Sequence, residues 1–189
     1  MSVRGASGRP GPRRRPGSER LLSSVARLRF RRQPRPADVG IVRGLAQRAG
    51  VFTPAEQAVA AELVEERLRA GRRSGYFFAF AELGDSAIGY SAWGPIPMTD
   101  GSFDLYWIVV DPTHRRLGIG RRLLELTEQT VRERGGRRLY VETSSREPYA
   151  GTRRFYRRAG YRQAAMLKHF YADGDHKVVF CKGLLDGAR

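Results

Sequence analysis

The sequence predicts an α+β domain of three layers, in which helices flank a largely antiparallel sheet of six to seven strands. Apolar segments of strand length alternate along the chain with longer segments of helical periodicity. Two pairs of expected strands are separated only by short turns, which predicts antiparallel hairpins. One further strand is apolar on both faces, as the central strand of a covered sheet must be.

The first half of the expected domain holds a strand, two helices and a hairpin. Val25–Arg32 alternates apolar and basic residues, which is typical of a half-exposed strand. A first helix is expected from Asp38 to Gly50. Thr53-Pro54-Ala55-Glu56 has the pattern of a capping box, and the helix that follows it ends at Gly71. The residues expected to face inward from this second helix are Val59, Ala60, Leu63, Val64 and Leu68. The hairpin strands are expected over Tyr76–Leu83 and Ser86–Trp93, with Gly94 and Pro95 ending the second strand.

The second half begins with Phe103–Val110, the strand that is apolar on both faces. The loop Asp111–Leu117 leads into a helix that ends at Gly135-Gly136. The residues expected to face the core from this helix are Ile119, Leu123, Leu124 and Val131. The remaining elements are expected as a strand over Arg138–Thr143, a short helix over Ala150–Ala159 and a closing hairpin of Tyr161–Tyr171 and Lys177–Lys182.

Composition and charge exclude several classes of protein. The length of 189 residues fits one domain with an extension. A single cysteine excludes an internal disulfide framework, and the three histidines lie too far apart to predict a metal site. No apolar segment approaches the ~20 residues of a membrane helix. We therefore expect a cytoplasmic protein with no metal and no membrane partner, either a monomer or a homodimer.

The net charge of +16 is unevenly distributed. Residues 1–35 hold eleven arginines and one acidic residue, which leaves only +6 on the rest of the chain. We expect residues 1–24 to form a disordered tail rich in Arg, Pro and Gly, and residues 25–186 to form the folded domain. Because the excess charge lies in the tail, the domain itself is not expected to bind nucleic acid.

The segment Asp104–Leu124 is the most informative part of the sequence. A buried strand leads into Arg115-Arg116-Leu117-Gly118-Ile119-Gly120, and a helix follows at once. Glycines allow the backbone to approach a ligand, and the free N–H groups of a helix start favour an anion. Arg121 and Arg122 add positive charge at the same end. The loop therefore predicts a site for a polyanion such as a pyrophosphate.

Several interpretations of this loop compete. A Walker A loop requires Gly-Lys-Ser/Thr, which is absent, and a dinucleotide fingerprint requires a third glycine where Leu123 stands. An ordinary glycine-started helix on a basic surface is a further alternative. The pattern Arg-x-x-Gly-x-Gly, formed by Arg115, Gly118 and Gly120, resembles the coenzyme A loop of the GNAT superfamily of N-acetyltransferases.

The resemblance to GNAT proteins extends over residues 25–184. The order of the expected elements agrees with the GNAT fold, and Tyr156-Arg157-Arg158-Ala159-Gly160-Tyr161 resembles the second signature of the family, Tyr-x-x-x-Gly-Phe/Tyr. One departure is Tyr149, which stands where many members have asparagine. The resemblance implies a mixed sheet with a splayed central strand pair, and acetyl-CoA as co-substrate. The residues that it implies for the binding of acetyl-CoA are Val109, Val110, Arg115, Arg116, Leu117, Gly118, Ile119, Gly120 and Arg121.

The resemblance also implies direct acetyl transfer to a primary amine of a small molecule, a peptide or a protein. The N–H group of Val109 or Val110 would stabilise the charge that develops on the thioester oxygen. Tyr156 is expected to give a proton to the leaving thiolate. Asp104 or Glu142, or else water or another group, is expected to take one from the acceptor ammonium. Two other functions stay open: a coenzyme A-binding module without turnover, and an RNA- or ribosome-associated protein that uses the basic tail.

Overall fold

The computed structural model describes residues 28–185. The predicted tail, residues 25–27 of the first expected strand and residue 186 lie outside the described residues. Within them the structure has four helices and seven strands. The helices are α1 (Asp38–Ala49), α2 (Pro54–Ala70), α3 (Ile119–Glu133) and α4 (Ala150–Arg158). The strands are β1 (Leu28–Arg31), β2 (Phe77–Leu83), β3 (Ser86–Pro95), β4 (Ser102–Val110), β5 (Arg138–Ser144), β6 (Arg162–Ala172) and β7 (Asp175–Gly183).

All seven strands form one sheet in the order β1-β2-β3-β4-β5-β7-β6. Five of the neighbouring pairs are antiparallel, and only β4 and β5 run parallel. The parallel pair is joined by the crossover through α3, because parallel neighbours need a long connection that returns the chain in the same direction. The predicted α+β fold with a mixed, largely antiparallel sheet is confirmed.

The central strands β4 and β5 pair over only part of their length. Their register covers Ser102–Leu105 against Arg138–Val141. Beyond that point β4 stays paired with β3 as far as Val110, while β5 stays paired with β7 as far as Ser144. The two strands therefore diverge and leave a wedge in the middle of the sheet. This is the splayed pair that the resemblance implied.

Helices cover the sheet on both faces and form two cores. In the first core, Val42 and Leu45 of α1 and Val64 of α2 pack on Phe78 and Phe80 of β2. In the second, α3 packs on β2, β3 and β4, and the four residues predicted to face inward from α3 are all buried. The open end of the wedge thus lies between two rigid layers, which hold its walls in place.

Helix α2 begins as predicted but is rotated about its axis relative to the expectation. The Thr53 side chain accepts a hydrogen bond from the Glu56 N–H, and the Glu56 carboxylate accepts one from the Thr53 N–H, which completes the capping box. The predicted inward positions of Val59 and Leu68 are wrong, because these residues are 45% and 40% exposed. The buried positions of α2 are Ala60, Ala61, Val64 and Arg67.

Strand β3 continues two residues past its predicted end. Gly94 and Pro95 pair with Asp104 and Phe103 of β4 instead of breaking the strand. A side chain at Gly94 would meet the hydroxyl of Tyr106 at 2.8 Å, so glycine allows the Tyr106 ring to lie against this strand. The glycine and proline that looked like strand breakers are therefore compatible with the end of a strand.

The closing hairpin is formed by β6 and β7, as predicted. β6 lies at the outer edge of the sheet, and all eleven of its residues are exposed. Among the described residues, no helix has the length and apolar character needed to cross a membrane.

Candidate active site

The wedge between β4 and β5 opens into a cleft of about 560 Å³. Its walls come from the diverging ends of the two strands, from the loop that precedes α3, from the start of α4 and from the connection between α1 and α2. The main lining residues are Phe52, Trp107, Ile108, Val110, Val141, Glu142, Thr143, Tyr149, Phe155 and Tyr156 from the strands and helices, and Arg115, Arg116, Gly118, Ile119, Gly120 and Arg121 from the loop and the start of α3.

The loop between β4 and α3 forms the basic end of the cleft. Gly118 has φ +77° and directly precedes α3, a conformation that favours glycine. No side chain caps the start of the helix. The first N–H groups of a helix lack helical partners and carry partial positive charge. Together with Arg115, Arg116 and Arg121 they make this end suitable for a phosphate-bearing ligand.

Asp111 fixes the start of this loop, a role that the sequence did not reveal. Its carboxylate accepts hydrogen bonds from the N–H and the hydroxyl of Thr113 at 3.0 and 2.6 Å, and from Arg48 Nε at 2.8 Å. The Thr113 hydroxyl, together with Arg48, lowers the pKa of Asp111 to about 2. The carboxylate is therefore charged at neutral pH, and it ties the loop to α1.

The backbone of β4 presents one side to the cleft. Asp111 N donates to Ile88 O on β3. Since successive N–H groups of a strand point to opposite edges, the Val109 N–H also faces β3 and the Val110 N–H faces β5. The β4–β5 register ends at Leu105, so Val110 has no strand partner there. Of the two predicted donors, Val110 is the one whose N–H points into the wedge.

Tyr156 lies on the cleft wall at the inner side of α4. The side chain is 2% exposed, and its ring packs against Phe155, Tyr161 and Phe180. Burial raises the pKa of Tyr156 above that of an ordinary tyrosine. The hydroxyl therefore stays protonated at neutral pH, which is the state that a proton donor needs.

Asp104 and Glu142 lie near each other on the same face of the sheet. Asp104 pairs with Tyr140, and Glu142 follows Tyr140 by two residues, so their side chains project from one face. Burial and the Glu142 carboxylate raise the pKa of Asp104, while Lys177 lowers it. Glu142 lines the cleft, whereas Asp104 lies beside the last paired residues of the wedge.

Comparison with known proteins places the chain in a family. The sequence profile described as the Acetyltransferase (GNAT) family matches residues 45–161. The chain belongs to the GNAT family of acetyltransferases. Membership of this family supports acetyltransferase activity, and it confirms the resemblance that the loop and Tyr156 signatures indicated. No curated protein matches the chain significantly.

Solved structures of GNAT proteins resemble the chain over most of its length. A structure assigned to the GNAT acetyltransferases of Desulfovibrio desulfuricans is 46% identical, with a TM-score of 0.82, and covers 84% of this chain and 99% of its own. The ribosomal-protein-S18-alanine N-acetyltransferase of Escherichia coli is 19% identical, with a TM-score of 0.67 and coverage of 86% and 97%. A Salmonella typhimurium protein solved with its cofactor acetyl-CoA is 17% identical, with a TM-score of 0.66 and coverage of 86% and 97%. The last two likenesses show the fold alone.

The GNAT cleft contains most of the residues predicted for the site. All of the predicted residues line it except Asp104 and Leu117. Leu117 is exposed on the outside of the loop. These placements are compatible with the predicted roles, which stay predictions. Within residues 28–185 no group of three or more His, Cys, Asp or Glu could hold a metal ion.

The structural roles of two further cleft residues of this GNAT chain were not predicted from the sequence. Tyr149, at the position where many members have asparagine, donates its hydroxyl to Val51 O at 2.9 Å and so joins α4 to the α1–α2 connection. Thr143 lines the cleft, and its buried hydroxyl has no hydrogen-bond partner among the described residues. The departure at Tyr149 was visible in the sequence, but its contact spans 98 positions. Nothing local indicated Thr143.

Proposed function

We propose that this GNAT chain is an N-acetyltransferase that transfers the acetyl group of acetyl-CoA directly to a primary amine of a small molecule, a peptide or a protein. The observation that carries the proposal is the shape of the cleft. A wedge between two strands begins at a basic, glycine-containing loop and ends beside a buried tyrosine and a carboxylate. This arrangement offers one place for a long anionic carrier and another for the reacting groups.

The residues of the cleft fit acetyl-CoA. The start of α3 and the arginines of the loop would hold its phosphates, since they present N–H groups and positive charge together. The wedge would hold the extended arm between β4 and β5, where the strands have released their hydrogen-bonding edges. Thr143 supports this fit, because a buried hydroxyl without a partner is costly unless a ligand supplies one. When bound, acetyl-CoA supplies the activated acetyl group.

Three groups of the chain would assist the transfer. The Val110 N–H would stabilise negative charge on the thioester oxygen, a contribution worth about 10²–10³ in rate for one donor. Glu142 would accept the proton of the acceptor ammonium, because it lines the cleft. Tyr156 would donate a proton to the departing sulfur. Asp104 acts beside Glu142 and adds negative charge near the acceptor.

The carboxylates and aromatic rings indicate the chemical class of the acceptor. Asp104 and Glu142 favour a positively charged group, and Phe52 packs on Trp107 at 4.8 Å between ring centroids on the cleft wall. An alkylammonium carried by a largely apolar or peptide-like body fits such a surface. We place the reaction in the cytoplasm, where acetyl-CoA is available.

Calorimetric titration of acetyl-CoA into the full chain tests this function. Gly118→Trp should abolish micromolar binding, because a bulky side chain at a left-handed position disrupts the loop. Gly84→Trp is the matched control: Gly84 also has a positive φ and no neighbour within 4 Å of an added Cβ, but it lies in the β2–β3 turn. No binding by the folded wild type would refute the proposal. Binding without release of free thiol in the presence of any amine would instead identify a coenzyme A-binding module.

A further inference from the structure

Lysine is rare in this chain, and one lysine lies beside the candidate base. The sequence contains only Lys168, Lys177 and Lys182 among its 35 basic residues. Lys182 contacts both carboxylate oxygens of Glu128 at 2.8 and 2.9 Å, away from the cleft. Lys168 is exposed on β6. Lys177 differs from both, because its ammonium contacts a residue that lines the cleft.

The Lys177 ammonium has the surroundings that an acceptor ammonium requires. Its Nζ lies 2.7 Å from Oε2 of Glu142 and 3.9 Å from the centre of the Phe170 ring. The Lys177 side chain is only 14% exposed, while that of Glu142, which lines the cleft, is 47% exposed. A carboxylate on one side and an aromatic face on the other stabilise an alkylammonium. Lys177 therefore places a primary amine in contact with a residue that lines the cleft, the group proposed to deprotonate the acceptor.

We propose that Lys177 is a self-acetylation site of this chain, modified by acetyl-CoA bound in the cleft when no other amine is present. The inference rests on the proposed function. Glu142 accepts a proton from the Lys177 ammonium, and the free Nζ forms a bond to the carbonyl carbon of the thioester. The carbon–sulfur bond breaks, and the coenzyme A thiolate takes a proton from Tyr156. The newly acylated nitrogen gives up its second proton, which restores the Tyr156 hydroxyl, and Glu142 releases its proton to solvent. The products are Nε-acetylated Lys177 and free coenzyme A.

The reaction adds one acetyl group per chain, because Lys177 is then used up, and it changes the charge of the cleft around Glu142. Acetylation removes the positive charge of Lys177 and with it the ion pair to Glu142. Arginine has no comparable acceptor role, since its guanidinium stays protonated at accessible pH. The large arginine content of the chain therefore adds no competing acceptors, and Lys168 and Lys182 are internal references.

Intact-mass measurement and peptide mapping test the proposal in the full chain. After incubation with acetyl-CoA and no added amine, one acetyl group should appear on Lys177 at least ~10-fold faster than on Lys168, because a positioned amine reacts as an intramolecular partner. Uncatalysed acetylation has the opposite preference, since Lys168 is the more exposed amine. Lys177→Arg should remove the modification, while Lys168→Arg should leave it unchanged. The rate per molecule should not depend on protein concentration.

The other possible results of these measurements lead to different conclusions. Faster modification of Lys168, or a rate per molecule that rises with protein concentration, would overturn self-acetylation at Lys177. Unmodified Lys177 in a chain that binds acetyl-CoA and releases thiol with added amines would also overturn it, but would leave the proposed function intact. Absence of acetyl-CoA binding and of thiol release with every amine would overturn both. Modification of Lys177 that persists unchanged in Gly118→Trp would show chemistry independent of the cleft and refute the proposal.

Discussion

Tyr156 combines almost complete burial with a position on the cleft wall. Its pKa is raised by burial, so the hydroxyl keeps its proton and can donate it to a leaving thiolate. Tyr156→Phe removes only this oxygen, and we predict a fall in kcat of about 10²-fold or more with little change in the affinity for acetyl-CoA. Steady-state kinetics with an amine acceptor and calorimetry separate the two effects.

Tyr161 supplies a matched control for this substitution. It is another buried tyrosine, but its hydroxyl donates to Glu128 Oε1 at 3.1 Å in the core rather than facing the cleft. Tyr161→Phe should lower thermal stability and leave kcat per folded molecule close to that of the wild type. Equal kcat for Tyr156→Phe and the wild type would exclude Tyr156 as the proton donor.

Substitutions of the two carboxylates, Glu142 and Asp104, should have different effects on catalysis. Glu142 lines the cleft, so we predict that Glu142→Gln lowers kcat/KM by about 10²-fold or more through loss of the base. Asp104→Asn should have the smaller effect. Burial and Glu142 raise the pKa of Asp104. If Asp104 is the base, activity should therefore begin to fall at a higher pH than the pKa of an ordinary aspartate would give. Kinetics as a function of pH for both variants identify the base.

Stability provides an independent check on Asp104. A carboxyl whose pKa is raised in the folded state favours folding at low pH and opposes it once the group is ionised. Asp104→Asn should therefore raise Tm relative to the wild type at neutral pH. The difference should shrink as the pH falls from the raised folded-state pKa towards the pKa of an unfolded aspartate, and it should be absent below that pKa. A lower Tm for Asp104→Asn at neutral pH would show that its carboxylate makes a stabilising contact instead.

At the scale of elements, the sequence predicted most accurately what short-range patterns determine. The buried face of α3 was correct because four large apolar residues repeat at helical spacing against one sheet face. The buried face of α2 was partly wrong. Ala60 and Val64 are buried as predicted, but Ala61 is buried in place of Val59 and Leu68, which are exposed. The hydrophobic periodicity of a sequence is dominated by large apolar residues, so small residues such as alanine at a close helix–sheet contact contribute little to it.

The candidate site was likewise predicted where its residues are close in sequence and missed where they are distant. The loop around Gly118 and the tyrosine signature are continuous in sequence, so they indicated the cleft without a structure. The contacts of Asp111 with Arg48 and of Lys177 with Glu142 join residues of different elements. Their partners are determined by helix packing and by strand register, which a single sequence does not specify. The same holds for the unpartnered hydroxyl of Thr143.

At the scale of the whole molecule, the splayed sheet and the charge distribution act together. The basic loop lies at one end of the wedge, and a multiply negative ligand would approach a chain with a net charge of +16. Such attraction accelerates association and is weakened by salt. Much of the positive charge, however, lies within residues 1–35 and not in the loop that precedes α3. The contribution of the loop and that of the N-terminal segment can therefore be separated.

We predict that the affinity for acetyl-CoA falls about 3- to 10-fold when the ionic strength rises from ~0.05 to ~0.3 M, because the Debye length shortens and the attraction between the loop arginines and the phosphates is screened. Removal of residues 1–22 should leave this dependence largely unchanged, because the loop charges act at the shortest distance from the phosphates. Calorimetry of both chains across a salt series measures the two slopes. If truncation abolished the salt dependence, the attraction would come from the N-terminal segment. Arg115, Arg116 and Arg121 would then not be its main source.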